Sequence, residues 1–217
     1  MRPLTGLWLL VRSYEASAYL AATAVLTLVG CALGPDSRAV ITRDGALGEP
    51  LPFVVALSGA AAMVCLVEPA PELTSTMPRR PWQIRAVRAG FVVAGCTCAV
   101  AVARLAAPGL TAATARNVLI ALTMTFLVGL WQPLLSWLPT STYLALSWLY
   151  GTATADDAAR AWAVPAQPPD WPMTGIWAAI ALTAALVWVL SPRQVGHSRR
   201  PRRRRSATSA PSSKQPT

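Results

Sequence analysis

EPAPELTSTMPRRPWQIRAVR, residues 68–88, is the dense polar stretch between two apolar runs, and its position decides how the rest of the chain is read. It carries Arg79, Arg80, Arg85 and Arg88, the acids Glu68 and Glu72, Trp82 and the prolines Pro69, Pro71, Pro78 and Pro81. An arginine-rich connection between apolar runs marks the cytosolic side of a membrane protein, and a tryptophan beside it suits the interface. The piece Trp82 to Arg88 is long enough for one or two helical turns. Docking to a soluble partner and simple orientation by the positive charge stand as equal readings of this loop.

Outward from it the chain is apolar. Of 217 residues 54% are hydrophobic and 13% charged, and the mean hydropathy is +0.44, which excludes an ordinary soluble domain. A hydrocarbon core of about 30 Å takes about 20 apolar helical residues, and several uncharged runs approach that length. Helices close their own backbone hydrogen bonds in lipid, whereas barrel strands would alternate in polarity. The fold expected is therefore all-α and polytopic.

The spans are expected at about 17–33, 51–67, 89–107, 117–135, 137–155 and 173–190. Residues 1–16, with Trp8 among apolar neighbours and Arg12 and Glu15 after them, read as an interfacial segment or as a downward extension of the first span. Gly30 and Gly34 are spaced for close helix packing. Leu28-Val29-Gly30-Cys31 has the shape of a lipoprotein cleavage site, but Glu15 and the long lead-in fit a signal peptide poorly. The connection 35–50 holds Asp36, Asp44 and Glu49 against Arg38 and Arg43, so nothing keeps it in the cytosol. Arg104 is placed to snorkel toward the outer interface.

The apolar region 117–151 is interrupted by Gln132-Pro133 and Pro139. The loop 68–88 and the tail should share a side, so this region contributes an even number of crossings, and two is the sensible number. These two broken helices are expected to face the bundle interior. Both termini are then cytosolic. Residues 17–191 form a six-helix membrane domain, and 192–217 a basic, disordered tail in which Arg199, Arg200, Arg202, Arg203, Arg204 and Arg205 meet anionic lipid. The charge of +10 sits mostly in the loop and the tail. Nucleic acid is the minor reading, since no aromatic or folded module accompanies the arginines.

No catalytic centre is legible. The chain lacks a phosphate-binding P-loop, GxSxG, HExxH and GxGxxG. The spans contain no Asp, Glu, His or Lys, so no proton relay or metal site is read and no cofactor is expected. Cys31, Cys65, Cys96 and Cys98 lie in apolar runs as small hydrophobes. Thr123 and Thr125 are expected to satisfy helix carbonyls.

In this order of an N-terminal segment, two spans, a basic loop, four more spans and a longer outer loop before the last, the chain resembles the permease subunit of type-two ATP-binding-cassette exporters. The likeness is to small, Arg- and Pro-rich actinobacterial versions. It is carried by Glu68-Pro69-Ala70-Pro71-Glu72, Pro78-Arg79-Arg80-Pro81, the segment Ala161 to Pro168, and Ser191-Pro192-Arg193. It implies a bacterial cell membrane, a separate ATPase subunit gripping the loop 68–88 as a coupling element, and a second permease chain, identical or different. On that reading the chain is not itself an enzyme. The competing class is a non-transporting anchor or assembly subunit that recruits a soluble partner through the same loop.

Overall fold

A computed structural model describes residues 14–33, 49–67, 81–151, 161–167 and 171–191, and every regular element among them is helical. They are α1 (Tyr14–Leu33), α2 (Leu51–Ala61), α3 (Met63–Leu66), α4 (Pro81–Ala106), α5 (Thr111–Gly129), α6 (Trp137–Tyr150) and α7 (Trp171–Leu190), with short 3-10 turns at Pro108–Leu110, Pro133–Leu135 and Val164–Ala166.

Proline writes most of the boundaries. Pro52, Pro81, Pro139 and Pro172 each fall in the first turn of a helix, where the missing N–H would have no intrahelical acceptor anyway. Proline also forces the residue before it out of helical geometry: Ala107 ahead of Pro108 (φ −146°) and Gln132 ahead of Pro133 (φ −139°) close off α4 and the end of α5. The break between α2 and α3 at Ala62 has no such cause in Ala60-Ala61-Ala62-Met63.

Contacts along the rods fix their directions. Gly30 of α1 packs on Val54 and Val55, so α1 and α2 are antiparallel. Ser58 meets Cys96, and Arg88 meets Cys65 and Val67, so α4 runs back along α2 and α3. Gly59 lies on Ala121 and Gly129 on Leu66, which makes α5 parallel to α2. Phe53 stacks on Trp148 (6.2 Å) and Thr125 meets Thr140, turning α6 back again. Thr174 near Ala112 and Trp188 against Phe126 (5.7 Å) return α7 alongside α5. Taking α2 and α3 as one rod, six rods alternate. One end gathers the start of α4, the turn 130–136 and the ends of α3 and α7; the far end holds the turns 107–110 and 161–167.

Helix α5 is the axis. In its apolar stretch 72% of residues are buried, against 28% for α1 and α7 and 33% for α4. Gly59 explains the closeness of α2 to it. A Cβ there would lie 2.8 Å from Ala121 Cβ and 3.2 Å from Leu122 N, so only glycine admits this backbone approach. In the same layer Tyr19 of α1 donates to Val92 O (2.9 Å) and touches Cys96 Sγ (3.3 Å), which satisfies a buried hydroxyl across α1 and α4.

Among the described residues four helices are long and apolar enough to cross a membrane: Ala16–Leu33, Trp82–Ala106, Pro108–Gly129 and Pro172–Leu190. The two other rods fall short of the six full spans expected. At 1.5 Å per residue α6 is about 21 Å long, and the rod from Leu51 to Leu66 about 24 Å, against a core of about 30 Å. Other boundaries move as well. The third helix starts at Pro81 rather than 89, so the helical turns expected over Trp82 to Arg88 are present but run on without a break into the span; the fourth runs 111–129 rather than 117–135, and the fifth stops at Tyr150 rather than 155. Of the pair expected to face inward, α5 does so, while α6 buries only Thr140, Leu144 and Ser147. The first thirteen residues of the N-terminal segment, and the basic tail, lie outside the described residues.

Candidate functional site

The first turns of α4 form a basic knot at the end of the bundle. Helix geometry brings Arg85 and Arg88, three residues apart, to neighbouring positions on one side of α4. Arg85 Nη1 donates to Ser191 O, the carbonyl that follows α7. Arg88 Nη1 donates to Val67 O (3.1 Å) and lies 3.5 Å from Cys65 O, at the end of α3. The final carbonyls of a helix have no partner of their own and carry the negative end of its dipole, so a guanidinium is the natural cap. Two helices that end 124 positions apart in sequence numbering are thus tied to one turn of a third.

This divides the seven residues proposed for the coupling loop. Arg85 and Arg88 are partly exposed, and each donates Nη1 to a carbonyl at a helix end within the chain. Trp82 is 44% exposed on the same helix start and remains available. Glu68, Glu72, Arg79 and Arg80 fall outside the described residues, as do Arg199, Arg200 and Arg202 to Arg205.

The opposite end holds a second arginine centre, just ahead of the apolar region that begins at Asn117. Arg116, in the second turn of α5, is 1% exposed, and Asn117 is fully buried. Arg116 Nη2 donates to Gln167 O (2.7 Å) and Pro165 O (3.2 Å), and Asn117 Nδ2 donates to Pro165 O (3.2 Å). Tyr143 of α6 donates its hydroxyl to Trp162 O (2.9 Å). Three side chains from two helices therefore hold the segment 162–167 against the top of the bundle. Charge-assisted bonds to carbonyls offset the desolvation of a buried guanidinium. Asn117 Oδ1 has no hydrogen-bond partner among the described residues. The available signal was an Arg-Asn pair opening a long uncharged run. Its reach to carbonyls nearly fifty residues downstream was not.

Of the two threonines expected to bond helix carbonyls, Thr123 does so, to Leu119 O at 2.8 Å. Thr125 instead faces Thr140 Oγ1 at 3.4 Å, a polar contact between α5 and α6. Cys31, Cys65, Cys96 and Cys98 are not joined in disulfides: Cys65 and Cys96 are buried, and Cys31 sits in the last turn of α1. Among the described residues no group of three His, Cys, Asp or Glu side chains converges.

The arrangement can brace a bundle at both ends and tie the start of α4 to its neighbours. Neither protein-family profiles, nor curated proteins, nor solved structures match the chain.

Proposed function

We propose that this chain is the membrane-spanning subunit of an ATP-driven exporter, gripped by a separate ATPase at the connection 68–80 and moved through the start of α4. The observation that carries this reading is the bonding of Arg85 to the end of α7 and of Arg88 to the end of α3. A partner that pulls on the connection displaces the first turn of α4, and the two guanidinium groups pass that displacement to two further helices. In the proposed arrangement the basic end faces the cytoplasm, because Arg79, Arg80 and the arginine-rich tail leave the bundle there, whereas the far-end connections 34–50 and 151–171 are rich in Asp. The exposed faces of α1, α4 and α7 are available to lipid and to a second permease chain. All six rods cross the bilayer in this reading, the two short ones through locally thinned lipid or by tilt of their neighbours.

The test separates gripping from transmission. Reversing the charge of Arg79 and Arg80 is expected to release a co-purifying ATPase while the bundle stays folded. Arg85→Gln with Arg88→Gln is expected to keep the ATPase bound but to abolish its response to the membrane subunit. A chain that never purifies with an ATPase in mild detergent overturns the proposal.

The non-transporting anchor keeps one observation in its favour, the backbone-close packing of α2 on α5 at Gly59, which suits a rigid scaffold. For an anchor the paired glutamine variant would leave every activity of the bound partner unchanged.

A further inference from the structure

The turn between α5 and α6 has a chemistry unlike anything else at the basic end. From Asn117 to Ala155 no residue is charged, although the loop and the tail at the same end are dense with arginine. Within this turn Trp131 is 78% exposed and Leu134 63%, and Leu135, Trp137 and Leu138 are exposed beside them. Five large apolar side chains within eight residues make a patch that water would not leave uncovered. Its polar members are few. Ser136 is buried with its hydroxyl turned back to Pro133 O (2.8 Å), and Gln132 is exposed.

The depth of the patch follows from its neighbours. Gly129, where α5 ends, packs on Leu66 and lies beside Trp188 Nε1. Leu66 stands between Cys65 and Val67, whose carbonyls receive Arg88, and Trp188 is one helical turn before Ser191, whose carbonyl receives Arg85. The turn therefore begins at the level of two guanidinium groups. Those charges belong at the headgroup layer rather than in hydrocarbon. Tryptophans flanking leucines at that level have the composition of an interfacial anchor, with the indole N–H able to meet water and the ring in acyl chains.

We propose that residues Trp131 to Leu138 form a wedge seated in the headgroup–acyl boundary of the leaflet at the basic end, with lipid as its occupant. Having no charge, the wedge takes neutral lipid as readily as anionic lipid and holds in high salt, unlike the arginine tail. It keeps the α5–α6 hairpin within the membrane surface. The proposal needs only that the protein is embedded in a membrane and is independent of the exporter reading.

The test uses the full chain in phosphatidylcholine vesicles. Leu134→Cys is labelled with an environment-sensitive fluorophore after Cys31 and Cys98, the two cysteines that are not buried, are replaced by Ala. The expected result is blue-shifted emission, quenched more by a nitroxide on the headgroup or a shallow acyl carbon than by one deep in the chain, and unchanged at high salt. Quenching by aqueous iodide without quenching by lipid nitroxide overturns the proposal, because the turn is then in water. Shielding from both also overturns it, because protein, a second copy or the tail, then covers the patch. A second readout avoids the cysteine replacements. Trp131→Phe should remove a component of intrinsic fluorescence that shallow brominated lipid quenches, and an unaltered quenching profile would contradict the wedge.

Discussion

Arginine holds backbone carbonyls at both ends of this bundle, but the two ends spend it differently. At the far end Arg116 is buried and works with Asn117 and Tyr143 on one short irregular segment. At the basic end Arg85 and Arg88 are partly exposed and each reaches a different helix terminus. A buried charge bound to two backbone carbonyls has no low-cost alternative, so the far end behaves as a lock. A half-exposed guanidinium can follow a moving helix end without stranding a charge in the core, so the basic end can shift with the carbonyls it holds. The asymmetry puts the rigid end of the bundle opposite the basic end.

The largest effect is expected at the lock. Arg116→Ala removes charge-assisted bonds and strands buried carbonyls, costing about 3 kcal/mol, read as a lower unfolding midpoint in detergent. Arg116→Lys keeps the charge without the planar fork and should recover only part of that loss. An Arg116→Ala protein as stable as the parent would erase the contrast between the ends.

Next comes the axis against which both ends are braced. Gly59→Val forces α2 away from Ala121 and Leu122 and should cost about 2 kcal/mol by overpacking, measured in the same melt. A neutral result would mean that α2 can slide on α5, and that the far end is not fixed to a rigid centre.

At the basic end Arg88→Gln should cost about 1 kcal/mol or less, and the parent's advantage over it should shrink as salt is raised, because a helix-end charge is partly screened. A loss as large as that of Arg116→Ala would contradict the division into lock and joint. The smallest change is Tyr143→Phe. Loss of one hydrogen bond to Trp162 O on a half-buried ring should lower stability by about 0.5–1 kcal/mol and speed hydrogen exchange at 161–167 before elsewhere.

These contrasts also mark how far the sequence could be read. Helices α1 and α7 were legible because their apolar runs stop at recognisable signals, Gly34-Pro35 for the first and Ser191-Pro192 for the last. Pro81 as the start of α4 was legible too, yet the arginines drew the boundary to residue 89; a cation is welcome inside a helix when it reaches another helix's terminal carbonyls. The early start of α5 was missed for the same reason. A window of hydropathy treats Arg116 as a stop, whereas Pro165 and Gln167 supply its ligands through contacts no local pattern encodes. The break at Ala62 and the short α6 depend on packing around α5, which single-chain periodicity does not carry.

The central claim is that the arginine-bearing connection and the tail leave one face of the membrane, opposite the 107–110 turn. It is tested most directly by labelling single cysteines with a membrane-impermeant maleimide on intact cells, in a background with the four native cysteines replaced. The account predicts that Gly109→Cys, at an open position in the far-end turn, reacts at once, while Arg80→Cys and Arg203→Cys react only after the membrane is permeabilised. Labelling of Arg80→Cys or Arg203→Cys on intact cells would contradict it.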